Sequence, residues 1–318
     1  MKSFLKTSIK TKLFPFLCLE TKFQQNGTVV AGGNGEGSEL NQLYGPEGIF
    51  VDENKTIFIA DHFNHRIVEW KCDEEQERII AGGNGEGNNM DELNYPTDVI
   101  VDQQNRSIII ADRNNRRVIR WSRDRKQRIL IENILCYGLA MDQHGFLFVS
   151  DQEKHEVRKW KIEKMNENKQ GTLVAGGNGN GYQRNQLNCP SFIFVDKDQS
   201  LYVSDLGNHR VMKWRKDANE GIVVAGGNGY GKNLNQLSCP QGLFADQWNQ
   251  IYVADCENHR IMRWCEGDGN GSIVIGGNGE GIESYQLSCP AGLSFDFEGN
   301  LYISEWRNNR VVRFDKIH

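Results

Sequence analysis

The stretch IFIADHFNHRIVEW, from Ile57 to Trp70, decides the fold, because it recurs as LYVSDLGNHRVMKW from Leu201 to Trp214 and as IYVADCENHRIMRW from Ile251 to Trp264. Three more divergent copies complete the series. The Asp that ends the second apolar run recurs at positions 61, 112, 151, 205 and 255, and Glu305 replaces it in the sixth copy. Self-similarity at a nearly constant period is the signature of a repeat architecture.

Each copy contains four short apolar runs separated by turn residues. In the fourth copy they are SFIFVD, LYVSD, RVMKW and GIVVAG, between Ser191 and Gly226. Short runs rich in Val, Ile, Phe and Tyr are typical of β-strands. Four strands per repeat make one blade of a β-propeller, and a blade buries both of its faces only by stacking on its neighbours. The sequence therefore predicts an all-β, six-bladed β-propeller.

The two ends of the array predict how the ring closes. The sixth copy ends at Phe314 after its third apolar run, while an unmatched run, GTVVAG from Gly27 to Gly32, precedes the first copy. We expect this N-terminal strand to complete the sixth blade, because an open ring would leave blade faces exposed. Residues 27–318 then form a single propeller domain, and residues 1–26 form an N-terminal extension.

An Asn-His-Arg core stands at the same place in three of the copies. It consists of Asn64, His65, Arg66, Asn208, His209, Arg210, Asn258, His259 and Arg260. With this core the chain resembles, over residues 27–314, the NHL-repeat family and the propeller of TRIM-NHL proteins. The resemblance implies a six-bladed recognition arm. It does not imply ligase activity, because the sequence has no pattern for the RING and B-box domains that accompany that activity.

These repeated residues are expected to be structural. Short Asp and Asn side chains hydrogen-bond the backbone of tight hairpins, and Arg pairs with carboxylates or carbonyls. The histidines recur with the fold, so we interpret them as turn residues and not as metal ligands. They are His65, His155, His209 and His259. The third copy departs from the motif, with Lys154 and Glu156 on either side of its histidine.

A second set of repeated residues ends every innermost run. It consists of Asp52, Asp102, Asp142, Asp196, Asp246 and Asp296. An Asp directly before a turn typically accepts backbone hydrogen bonds within that turn. The alternative hypothesis is that several of these carboxylates face the central channel and bind a hard cation such as calcium. The sequence favours turn capping and predicts no cofactor, with calcium as the alternative.

Five glycine-rich segments of the form GGNGxG follow the outermost runs and begin at Gly32, Gly82, Gly176, Gly226 and Gly276. None has the Ser or Thr after a Lys, or the following helix, that a phosphate-binding loop needs. Glycine instead permits positive φ, so each loop turns sharply and then reaches a leucine that we expect to be buried. Loops this long are usually functional or tightly packed. We predict that they crown one face of the ring and bind a partner there.

The third copy lacks the glycine loop, because the chain runs as RILIENILCY from Arg128 to Tyr137. We therefore predict a notch in the ring of loops over blades two and three, through which a ligand or peptide enters. The residues expected to border it are Arg113, Arg116, Lys154 and His155. The segment from Arg113 to Arg128 is also strongly basic, and the family resemblance makes RNA binding a second alternative. The net charge of −5 favours a solvated edge strand instead.

Catalysis is the first alternative function. Six-bladed propellers similar to this fold include metal-dependent lactonases, arylesterases and amidating lyases, but no catalytic constellation stands out from the repeat, and we assign no catalytic residue. The eight cysteines contain no C-x-x-C pair. Cys189, Cys239 and Cys289 occupy equivalent positions in successive blades, so we expect them to be too far apart to bridge one another.

The N-terminal stretch is compatible with a weak signal peptide, although its apolar core from Leu13 to Leu19 is short and contains Pro15. Both a cytoplasmic and a secreted location remain open, and no run is long enough for a membrane span. We predict a monomeric, non-catalytic scaffold that binds a protein or peptide through its glycine loops.

Overall fold

A computed structural model describes residues 21–71, 76–122, 124, 126–165 and 167–317. The candidate signal segment lies outside the described residues, as do Cys18 and Cys72. No helix among the described residues is long and apolar enough to cross a membrane.

The structure confirms the six-bladed propeller. Every blade is a four-stranded antiparallel sheet whose first strand lies at the central channel. Blade one contains β3 (Pro46–Val51), β4 (Thr56–Asp61), β5 (Arg66–Lys71) and β6 (Gln76–Gly82). Blade two contains β7 (Pro96–Asp102), β8 (Ser107–Asp112), β9 (Arg117–Ser122) and β10 (Gln127–Glu132). Blade three contains β11 (Cys136–Met141), β12 (Phe146–Asp151), β13 (Glu156–Lys161) and β14 (Thr172–Gly176).

The second half of the ring repeats this order. Blade four contains β15 (Pro190–Val195), β16 (Leu201–Asp205), β17 (Arg210–Trp214) and β18 (Ile222–Gly226). Blade five contains β19 (Pro240–Ala245), β20 (Gln250–Asp255), β21 (Arg260–Cys265) and β22 (Ser272–Gly276). Blade six contains β23 (Pro290–Phe295), β24 (Leu301–Glu305), β25 (Arg310–Phe314) and β2 (Thr28–Gly32). The described residues also form four short 3-10 turns, at His62–Asn64, Ile162–Lys164, Leu206–Asn208 and Cys256–Asn258.

Blade six is closed by the N-terminal strand, as the sequence predicts. Strand β2 pairs antiparallel with β25, with Val29 opposite Val312 and Gly32 opposite Arg310. A further pair, β1 (Lys22–Phe23) with β26 (Lys316–Ile317), lies beyond the strands expected from the sequence. Phe23 is buried there and meets the ring of Tyr252 at a centroid distance of 6.3 Å.

The core lies between blades. Each of its clusters contains side chains from successive blades, and the aromatic residue at the end of every third strand is buried. These aromatic residues are Trp70, Trp121, Trp160, Trp214, Trp264 and Phe314. Stacking against a neighbour is therefore what removes each blade's apolar face from water.

The glycine loops are anchored as expected. Their leucines, at positions 43, 93, 187, 237 and 287, are fully buried. Gly32 shows why glycine is needed at the start of a loop. Its φ is +66°, and a Cβ there would lie 2.5 Å from the backbone oxygen of Asn309.

Candidate functional site

One end of the ring, here called the loop face, carries the glycine loops and the Asn-His-Arg turns. Strand register places them together, because Pro46 pairs with Asp61, Asp61 with Arg66, and Arg66 with Gly82. The inner strand therefore begins at the loop face, and the channel mouth opens there. The opposite end, called the turn face, carries the Asp ring.

The Asp, Asn and Arg of the motif hold the glycine loop in place. Asp61 accepts hydrogen bonds from the backbone of Tyr44 at 2.7 Å, from Asn64 at 2.8 Å and from Arg66 at 2.6 Å. Arg66 also donates to the backbone oxygens of Ser38, Glu39 and Gln42 in the loop. Charge-assisted bonds of this kind are stronger than neutral ones. The motif is thus a clamp for the loop.

Blade three explains the departure from the motif. It has no glycine loop, so a guanidinium at its clamp position would find none of the loop carbonyls that Arg66 binds. Glu156 stands at that position and pairs with Arg158 at 2.6 Å. An unpaired buried cation is costly. The loop and its clamp are therefore absent together.

The motif histidines join neighbouring blades. Each adopts the left-handed conformation, and its Nδ1 accepts a hydrogen bond from the backbone N–H that precedes the next inner strand. The pairs are His65 with Tyr95 (3.1 Å), His155 with Cys189 (3.1 Å), His209 with Cys239 (3.3 Å) and His259 with Cys289 (3.1 Å). In blade six, Asn309 accepts from Gly45 at 2.8 Å across the ring closure. Burial lowers the pKa of His65 and of His209.

The four residues predicted to border the notch are brought together only in part. Arg113 donates to Gln152 at 3.1 Å and lies 6.0 Å from the ring centre of Tyr137. Arg116 pairs with Glu153 at 2.5 Å on the surface. Lys154 lies 3.8 Å from Asp151, and His155 is engaged between blades. A binding role for these residues stays a prediction.

The Asp ring lies in the turns of the turn face. Asp52 accepts backbone hydrogen bonds from Asn54 at 2.9 Å and from Thr56 at 2.8 Å. Asp142, Asp196, Asp246 and Asp296 accept the same pair of bonds. Asp102 accepts from Asn105 and from Arg120. Within the described residues, no three of these carboxylates offer oxygens within 4.8 Å of one another.

The channel mouth holds a buried polar cluster that the sequence did not suggest. Inner strands of blades one, two and three supply Glu47, Asp98 and Tyr137, which are all at most 8% exposed. The Tyr137 hydroxyl donates to Glu47 Oε2 at 2.9 Å. Asp98 accepts backbone hydrogen bonds from Val99 at 2.9 Å and from Leu139 at 2.8 Å.

Burial shifts the titration of this cluster. Burial raises the pKa of Glu47 to about 7, although the hydrogen bond from Tyr137 and the nearby charge of Arg113 both lower it. Burial also raises the pKa of Asp98 to about 8. The two backbone N–H bonds lower this pKa, and the charge of Glu47 raises it further. Desolvation disfavours the charged form of a carboxyl group. Buried titratable groups in a cleft are a common mark of a functional site.

A comparison of the six copies could have found one member of this cluster, Asp98. In the pattern Pro-x-Gly, blades one, three, five and six keep their glycine, whereas blade two has Asp98 and blade four has Phe192. The strands approach closely at this level, since a Cβ on Gly138 would lie 2.6 Å from the backbone oxygen of Ser191. A Cβ on Gly48 would lie 2.2 Å from Asp98 Oδ1. The Asp98 carboxyl therefore occupies the narrow part of the channel.

Below Asp98 the channel widens into a cavity of about 270 Å³ that all six inner strands line. Its wall is largely apolar, with the ring centres of Phe194 and Phe244 at 4.8 Å and those of Phe244 and Phe295 at 4.5 Å. The described residues thus place a polar cluster at the channel mouth, above an aromatic lining.

The glycine loops carry exposed apolar side chains. They are Leu40 (49% exposed), Met90 (39%), Tyr182 (79%), Tyr230 (65%), Leu234 (46%), Ile282 (71%) and Tyr285 (45%). Every one of the five loops contributes at least one of them. The loop face therefore carries exposed apolar side chains on its loops and a polar cluster at the channel mouth.

These features match known proteins at the level of family and fold. The family model of the NHL repeat matches residues 237–263. The chain is a six-bladed β-propeller that contains an NHL repeat over these residues, which agrees with the resemblance. No curated protein sequence matches it.

Solved structures with the same fold differ in their described roles. An auxiliary nutrient binding protein from Bacteroides thetaiotaomicron is 15% identical, with a TM-score of 0.71, 94% of this chain covered and 78% of that chain. A gluconolactonase from Xanthomonas campestris is 12% identical, with a TM-score of 0.63. The match covers 94% of this chain and 98% of the gluconolactonase chain. A virginiamycin B lyase from Staphylococcus aureus is 12% identical, with a TM-score of 0.56. The match covers 94% of this chain and 88% of the lyase chain. At these identities the likeness shows the fold alone.

Proposed function

We propose that this propeller is a recognition module that binds a protein or peptide partner on its loop face. The observation that carries the proposal is the set of exposed apolar side chains on the glycine loops, above all Tyr182, Tyr230 and Ile282. Clustered exposed apolar residues with polar surroundings are typical of interaction surfaces. Tyr is also common among residues that dominate binding energy.

The clamp makes these loops a suitable binding surface. Arg210 and Arg260 each bind three backbone oxygens of the loops that carry Tyr182 and Tyr230. A loop that is already ordered loses little conformational entropy when a partner binds. The loop face therefore supports affinity without a folding step.

Selection of displayed random peptides on the immobilised propeller tests this proposal. We expect enriched peptides to bind the native chain and to lose binding to a Tyr182→Ser, Tyr230→Ser, Ile282→Ser variant. The matched control is Trp248→Ser with Phe297→Ser, which removes exposed aromatic residues from the turn face. Equal loss in both variants, or in neither, would argue against the loop face. Arg113→Glu with Arg116→Glu tests the notch in the same assay.

A channel enzyme is the second candidate, and the Glu47, Asp98 and Tyr137 cluster is the observation that favours it. Carboxyl groups that titrate near neutral pH are suited to general acid or base catalysis. The metal-dependent form of this hypothesis needs a bound cation such as calcium. Elemental analysis of the purified chain, followed by lactone hydrolysis assays of native and Glu47→Gln protein, distinguishes this candidate from a scaffold.

The RNA alternative has less support from the contacts. In the basic segment from Arg113 to Arg128, Arg117 is buried against Asp112 at 2.6 Å, and Arg120 pairs with Asp102 at 2.8 Å. These two cations are therefore neutralised within blade two and do not add to a phosphate-binding patch.

A further inference from the structure

We propose that Glu47 and Asp98 at the channel mouth bind a primary ammonium group carried by the partner. This inference rests on the proposed function and names the chemistry of the ligand. Glu47 is the second residue of β3 and Asp98 is the third residue of β7, so rigid sheets position both carboxyl groups. Strand register places both residues near the end of the inner strands that lies at the loop face.

The carboxylate oxygens of Glu47 and Asp98 can accept more hydrogen bonds than they do. Oε2 of Glu47 accepts from Tyr137, while Oε1 accepts no hydrogen bond from any described residue. Each oxygen of Asp98 accepts one backbone N–H, at 2.9 Å and 2.8 Å. A carboxylate oxygen has room for two donors. Each of the four oxygens can therefore take at least one further donor.

Among the residues that the structure describes, no cation forms a salt bridge with Glu47 or Asp98. The charge of Arg113 acts on Glu47, but its guanidinium donates to Gln152 at 3.1 Å and to Asn114 at 3.3 Å and to neither carboxyl. Burial without a counter-ion is unfavourable for a carboxylate. The raised pKa of both groups agrees with this description. A bound cation would supply the missing charge.

The geometry favours an ammonium over a guanidinium. A guanidinium binds best through two parallel bonds to both oxygens of one carboxylate. Tyr137 already donates to one oxygen of Glu47, and a backbone N–H donates to each oxygen of Asp98, so neither carboxylate offers two oxygens that are both free of donors. The passage beside Asp98 is also narrow, because a single Cβ on Gly48 would lie 2.2 Å from Oδ1. An ammonium is compact and points three donors at separate acceptors.

Calorimetric titration of the native chain with matched peptides tests the inference. The probes are acetyl-Ala-Lys-Ala-amide, the same peptide acetylated on the lysine Nζ, Ala-Ala-Ala-amide with a free amino terminus, and acetyl-Ala-Ala-Ala-amide. We expect binding by at least one of the two ammonium peptides and none by the two neutral ones. The comparison between the first and third probes shows whether a lysine side chain or an amino terminus is preferred.

Protein variants then locate the site. Glu47→Gln should weaken ammonium binding at least about tenfold, whereas Glu283→Gln, which removes an exposed loop carboxylate from the same face, should leave it unchanged. Tyr137→Phe keeps the carboxylate and frees its second oxygen, so it should bind at least as tightly. Thermal melting checks that each variant is folded.

Three results would overturn the inference: no binding by either ammonium peptide, equal binding by the neutral peptides, or undiminished binding by Glu47→Gln. Stoichiometric calcium binding that depends on Glu47, without ammonium binding, would do the same. The proposed function is contradicted by a different result, namely selected peptides that bind equally well when Tyr182, Tyr230 and Ile282 are replaced by Ser.

Discussion

Nδ1 of His155 accepts a hydrogen bond of 3.1 Å from the backbone N–H of Cys189, although Lys154 and Glu156 replace the Asn and the Arg of the motif in blade three. The histidine and the Asp, Asn and Arg clamp therefore have separate tasks. The clamp fixes a loop, while the histidine joins one blade to the next.

Replacement of His155 by Ala should lower the free energy of unfolding by about 1–2 kcal/mol, because a partly buried N–H loses its acceptor. Urea denaturation measures the change. His155→Asn should keep most of the stability, since Asn309 fills the same role in blade six. The control is His144→Ala, at an exposed position. Equal stability of the Ala variant and the native chain would contradict the joining role.

The pKa of His62 predicts a loss of stability in acid. Burial lowers this pKa to about 4, below the value of about 6.5 expected in the unfolded chain. Between these pH values the unfolded state binds more protons than the folded state. The contribution of His62 to the free energy of unfolding is therefore complete above about pH 6.5 and decreases as the pH falls towards 4. Chemical denaturation across this range should show a shallower pH dependence for His62→Gln. Parallel curves would contradict the assignment.

The raised pKa of Asp98 predicts the opposite change of stability with pH. Its folded pKa of about 8 lies above its unfolded value, so the folded state binds more protons between about 4 and 8. The native chain should therefore lose stability relative to Asp98→Asn as the pH rises through that window, by on the order of a few kcal/mol. The difference in unfolding free energy between the two proteins at several pH values measures it. A difference that does not change with pH would show that Asp98 titrates normally.

The closing strand should be sensitive to proline. Val29→Pro removes a backbone N–H from β2 and restricts the residue before it, so we expect weaker pairing with Val312 and a lower melting temperature. Val29→Thr keeps the N–H and the branched side chain, and serves as the control. Unchanged melting of the proline variant would argue against closure through β2.

The structure also contains a disulfide between Cys256 and Cys289, whose Cα atoms are 4.2 Å apart. It joins the turn of blade five to the start of blade six. Its sequence separation of 33 residues predicts a contribution of about 3–4 kcal/mol through the entropy of the unfolded chain. Cys256→Ser should lose this amount in urea denaturation without reductant. Cys239→Ser, at the position equivalent to Cys289 but with a free thiol, should lose far less.

The features that repeat could be predicted from the sequence. The strands, the closing segment and the anchoring leucines such as Leu43 recur with the period, so each copy supports the others. The disulfide could not be predicted in this way, because Cys289 pairs with the preceding hairpin and not with its equivalents Cys189 and Cys239.

The channel-mouth cluster was missed for a related physical reason. Glu47 and Tyr137 lie 90 residues apart, and only the curvature of the ring brings them within hydrogen-bond distance. Neither residue belongs to the repeated pattern. Asp98 gave a local signal, as a break in Pro-x-Gly, but its burial and its partners depend on how closely the inner strands approach.

The pairing of Val29 with Val312 also sets the order of events during synthesis. Strand β2 leaves the ribosome long before β25 does, and its partner edge does not yet exist. At roughly 5–20 residues per second, the delay is on the order of a quarter of a minute to a minute. During that time an apolar strand remains unpaired, which is the condition under which strands associate with other chains. Nascent chains are therefore most prone to aggregate before their last blade emerges.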